Sequence, residues 1–92
     1  MGFLADIQMP PNYNTLDSCY VYIKMFNVKK YGKFYLITIT YNIFLDYQDR
    51  LDEKIAIYEK SHVLSIDSIP ESNMLGFLYN QLKKVFEDPR DL

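Results

Sequence analysis

The sequence predicts an α+β domain: an antiparallel three-stranded β-meander with one C-terminal α-helix packed on one face. Three observations carry that expectation. Residues 19–28 and 34–46 are two runs of β-branched and aromatic side chains flanking a short basic connector, the pattern of a β-hairpin. Residues 54–64 read as a third strand. Residues 68–86 place apolar side chains at helical spacing behind a capping signal. At 92 residues the chain is one domain, and a core of that size is modest.

Residues 1–18 read as an N-terminal arm, with the βββα domain spanning 19–92. Pro10, Pro11, Asn12 and Asn14 interrupt regular structure there. Phe3, Leu4, Ile7 and Met9 are apolar, so the arm docks either on its own domain or on a neighbouring subunit. In the first expected strand, period-two alternation puts Cys19, Val21, Ile23 and Met25 on one side and Tyr20, Tyr22, Lys24 and Phe26 on the other. The connector 29–33 turns at Gly32. In the second strand Ile37, Ile39, Tyr41 and Ile43 share one face, and Phe34, Leu36, Thr38, Thr40 and Phe44 the other. Both faces are largely apolar, as in a strand covered twice.

Residues 46–53 form a charged loop. In the third strand Ile55 and Ile57 oppose Ala56 and Tyr58, and the polar segment 59–62 belongs at a sheet edge. Ser68 and Glu71 have capping-box spacing, with Pro70 in the first turn and Ser72 as a rival cap. Met74, Leu75, Leu78, Leu82, Val85 and Phe86 make the helix amphipathic, Gly76 weakens it or admits a close partner, and Pro89 ends it. The helix should cover Val21, Ile23, Ile37, Ile39, Ile55 and Ile57 with Leu75, Leu78 and Leu82.

Several function classes have no support in the residues. One cysteine, Cys19, excludes an internal disulfide, and with one histidine, His62, it makes no zinc site. His62 lies in a polar strand end and reads as structural rather than catalytic. The loop acids Asp46, Asp49, Asp52 and Glu53 lack the spacing of a calcium hand and read as a solvated turn. No cofactor, metal or small-molecule substrate is called for, and the chain is expected to be non-enzymatic. The net charge of -2 makes nucleic acid a poor default partner, although Lys29, Lys30 and Lys33 flank Tyr31 at the hairpin tip. No apolar run is long enough to cross a membrane, and the first residues lack a secretory pattern, so a soluble protein made in the cytoplasm is expected.

The feature these readings leave unexplained is the second sheet face. A single helix roofs one side of a three-stranded sheet, which leaves Tyr20, Tyr22, Phe34, Leu36, Phe44 and Tyr58 on the other. With 9 Tyr and 6 Phe in the chain, that patch would exceed what monomers usually expose. Either the N-terminal arm folds over it or another chain does. The second is favoured, making these six residues a predicted interface in a homo-oligomer or larger assembly.

Residues 20–24 (YVYIK), 34–41 (FYLITITY) and 66–84 (IDSIPESNMLGFLYNQLKK) follow one another as hairpin, proline-containing linker and amphipathic helix. In that order the chain resembles small proteins of tailed bacteriophages encoded among virion structural genes. The resemblance spans roughly residues 19–92 and has no counterpart for the arm. It implies a virion- or tail-associated structural protein, made in the host cytoplasm and residing in the particle. It assigns no catalytic residue. The alternative is a small phage-encoded inhibitor that binds a host protein.

Overall fold

A computed structural model describes residues 2–9, 14–86 and 88–91. The α+β class holds, but among the described residues the sheet has five strands and there are two helices. The elements are β1 (Phe3–Met9), β2 (Asn14–Tyr31), β3 (Phe34–Phe44), α1 (Tyr47–Leu51), β4 (Tyr58–Ile66), α2 (Met74–Lys83) and β5 (Arg90–Asp91). All strand pairs are antiparallel, in the order β4-β3-β2-β1-β5. Strands β1 to β4 form a meander. The chain then crosses one face as α2 and returns beside β1.

The expected hairpin is the centre of this sheet. Tyr31 pairs with Phe34 across a two-residue turn. Gly32 holds the first central position with φ +58, the conformation a type II′ turn demands and one costly for a side chain with a Cβ.

The N-terminal segment is not a separate arm. Phe3, Ala5 and Ile7 are buried core residues, and β1 pairs with β2 from Phe3↔Val21 to Met9↔Asn14. Alternating apolar residues gave this segment one face to bury, and the side of β2 was the nearest unpaired edge. The predicted breakers Pro10, Pro11 and Asn12 lie outside the described residues.

The core occupies one face. Ala5, Cys19, Val21, Ile37, Ile39 and Ile43 from the sheet meet Leu78, Tyr79 and Leu82 from α2. Edge-to-face aromatic contacts of Phe3 with Tyr79 (6.2 Å) and Phe86 (5.5 Å) lock the helix end over β1. The register corrects the expected core in two places. Ile55 precedes β4 and is 94% exposed, and Ile57 is also exposed, because β4 starts at Tyr58 rather than near residue 54. Leu75 and Val85 are exposed as well.

The start of α2 also differs. Its N-cap is Asn73, in the left-handed region (φ 52), whose side chain accepts a hydrogen bond from Gly76 N–H at 3.2 Å. Pro70 disfavours helical backbone at Ile69, which rules out a start at Ser68, and the cap falls one residue past Ser72. A Cβ at Gly76 would lie 2.4 Å from the Asn73 side chain, so the close neighbour this glycine admits is the helix's own cap.

Candidate functional site

The second face divides into a roofed half and an open half. The roof is α1, in the segment expected to be a charged loop. Asp46 caps it, its Oδ1 accepting from Asp49 N–H at 2.8 Å. The helix brings Tyr47 against Tyr20, with ring centroids 4.9 Å apart. It also sets the Arg50 guanidinium 4.4 Å from the Tyr22 ring centroid. Tyr20 and Phe44 are thereby buried. Burial pushes the Tyr20 hydroxyl up to about 12. A Cβ on Gly2 would run into the Tyr20 ring, so the chain start closes over this residue from the other side.

Of the six predicted interface residues, Tyr20 and Phe44 are therefore sealed within the chain, and Tyr22 is half-buried beneath Arg50. Tyr58 is on the opposite face. It pairs with Ile43, and directly opposite residues of neighbouring strands point the same way, so it packs against the core. Its expected face followed from starting the strand too early. Phe34 and Leu36 remain together on the open half.

The open half gained residues that alternation assigns elsewhere. The β2–β3 register shifts between Ile23 and Met25. This bulge at Lys24 turns Met25, Asn27, Lys29 and Tyr31 onto the second face, opposite Thr40, Thr38, Leu36 and Phe34. Phe26 goes to the core side. No glycine or proline marks the bulge, so period-two counting runs straight through it. The backbone defect is held from the core side, where Ile23 N–H donates to Tyr79 Oη at 3.0 Å.

On the second face Met25, Asn27, Lys29, Tyr31, Leu36, Thr38 and Thr40 line a half-open trough of about 300 Å³. Met25 is 57%, Tyr31 48% and Phe34 40% exposed. Tyr31 and Phe34 stack at 6.0 Å across the hairpin end. Val63 of β4 lies opposite Thr38 on the same face and is 52% exposed. The trough's lining combines apolar side chains with Asn27, Lys29 and the hydroxyls of Thr38 and Thr40.

The other candidates sit apart from it. Cys19 is buried, and burial pushes its thiol up, away from the reactive thiolate. His62 lies opposite Ile39 on the core side of β4. Lys30 rests over the Tyr35 ring at 5.8 Å. Among the described residues no cluster of His, Cys, Asp and Glu is arranged to hold a metal. Among them too, no helix is long and apolar enough to cross a membrane. No family model, curated protein or solved structure matches the chain.

Proposed function

We propose that this chain is a non-enzymatic structural or accessory subunit that works by protein–protein contact through the open half of its second sheet face. The observation that supports the reading is the trough, where exposed Met25, Tyr31 and Phe34 stand beside Leu36 on one continuous surface. Met and Tyr are over-used at protein interfaces, and Thr38 and Thr40 supply uncharged hydrogen-bonding groups. The placement in a tailed-phage particle rests on the sequence resemblance of residues 20–24, 34–41 and 66–84.

The test pairs particle composition with substitution. Mass spectrometry of purified particles is expected to find the chain in a fixed stoichiometry. Leu36→Asp and Met25→Asp should each weaken incorporation by about 30-fold, the effect of losing a contact of about 2 kcal/mol, while melting cooperatively. Absence from particles, with recovery on a single host factor, would replace this reading with the inhibitor one.

A further inference from the structure

We propose that two copies of this chain join edge to edge through β4, antiparallel, with His62 of one copy opposite His62 of the other. The sheet treats its two outer edges differently. The β1 edge is defended: β5 covers Phe3 and Leu4, and beyond them the register breaks between Ala5 and Ile7. Arg90 then clamps the break through Asp6 at 2.8 Å and Ser18 Oγ at 3.1 Å. Short strands, bulges and inserted charges are the usual defences of an edge.

The β4 edge is defended less: its charges, Glu59 and Lys60, stand at its first end and leave the stretch from Ser61 to Ile66 without any. Its nine residues, Tyr58–Ile66, run against β3 in unbroken register from Ile43↔Tyr58 to Tyr35↔Ile66. They include no proline, glycine or bulge, and no described strand pairs with their outer side. Every second residue of such an edge directs its backbone N–H and C=O outward, which is a template for another strand.

The strand's own sequence argues that a second copy fills it. A two-fold axis that continues the sheet with matching faces must set one residue opposite itself. Centring on Glu59 or Lys60 sets like charges opposite each other, and centring on Val63 sets Glu59 opposite Asp67, all unfavourable. Centring on His62 alone overlaps all nine residues. It places Tyr58 opposite Ile66, Lys60 opposite Leu64, Glu59 opposite Ser65 and Ser61 opposite Val63, with no like charges facing. Val63, half-exposed in one chain, then lies at the middle of a ten-stranded sheet whose two troughs share one surface. Strand pairing alone buries less than a standard interface, so the dimer is weak, with a dissociation constant on the order of 10–100 μM. This inference rests on the strand edge and is independent of the trough.

Sedimentation equilibrium of the full chain is expected to show a monomer–dimer equilibrium below about 1 mM. His62→Lys and His62→Glu should each self-associate roughly fivefold more weakly, and an equimolar mixture should recover the natural affinity. Amide exchange in β4 should slow with concentration, while that in β5 should not. Leu36→Asp should leave the dimer constant unchanged, which separates this inference from the trough reading. A natural chain that stays monomeric with concentration-independent β4 exchange would overturn the proposal. So would charge variants that associate like the natural chain, or a mixture that shows no recovery.

Discussion

Tyr79 shows how one side chain can make an irregular backbone tolerable. It is buried, its ring packs edge-on to Phe3, and its hydroxyl accepts the Ile23 N–H beside the β2 bulge. Burial pushes its own hydroxyl up, so it stays protonated and neutral across the physiological range. Tyr79→Phe keeps the ring and strands a backbone donor. The expected cost is about 1–2 kcal/mol, or a melting midpoint lower by roughly 5–15 °C for a chain of this size, read by circular dichroism. An unchanged midpoint would mean that the bulge holds itself. This residue was not visible in the helical pattern, because Met74, Leu75, Leu78 and Leu82 already define an apolar stripe. Only the position of β2 beneath it makes a tyrosine necessary there.

Among the elements, β5 is the smallest and is held mostly by charge. Arg90 bonds Asp6 across from β1 and bonds Asp88 within its own segment at 2.6 Å. Lys83 of α2 pairs with Asp91. The Arg90 guanidinium, and then the Ser18 N–H, hold the Asp6 carboxyl below its usual value. A carboxyl lowered by folding stabilises fully above the ordinary carboxylate range, near pH 4. That stabilisation is lost as pH falls through the folded value. Asp6→Asn is therefore expected to be less stable than the natural chain by a constant margin above about pH 5. The margin should close as the pH approaches 2 in denaturant titrations. A margin that persists at low pH would assign the effect to packing rather than to the ion pair. The same cluster explains why β5 was not foreseen. Two residues carry no periodicity, and their place in the sheet comes from a partner 84 positions away.

The molecule as a whole is a long sheet with short covers. Its principal extents are 42 × 28 × 21 Å, whereas ten helical residues reach only about 15 Å. Neither α2 nor the shorter α1 can roof the hairpin along its length, and the far end of the second face stays open. At the near end β1 completes the core. Removing residues 1–9 would strip Phe3, Ala5 and Ile7 from it and uncover Cys19 and Val21. That deletion is expected to abolish the cooperative thermal transition, since each large core side chain lost costs about 2–5 kcal/mol against a total of about 5–15. A truncated chain that melts at the natural midpoint would restore the segment to a dispensable arm.

Local pattern determined the α+β class, the central hairpin with its turn at Gly32, the inner faces of β2 and β3 as far as Ile23, and the stripe of Leu78 and Leu82 on α2. Each of these depends on neighbours two to four positions apart, which periodicity records. Tertiary structure alone decided that the leading residues join the sheet and that α1 seals Tyr20 and Phe44. It also decided that the Lys24 bulge exchanges Met25 for Phe26 and that Tyr58 faces the core. These outcomes were set by competition for unpaired backbone edges and uncovered rings between segments distant in sequence, and a single slipped residue reverses every face that follows it.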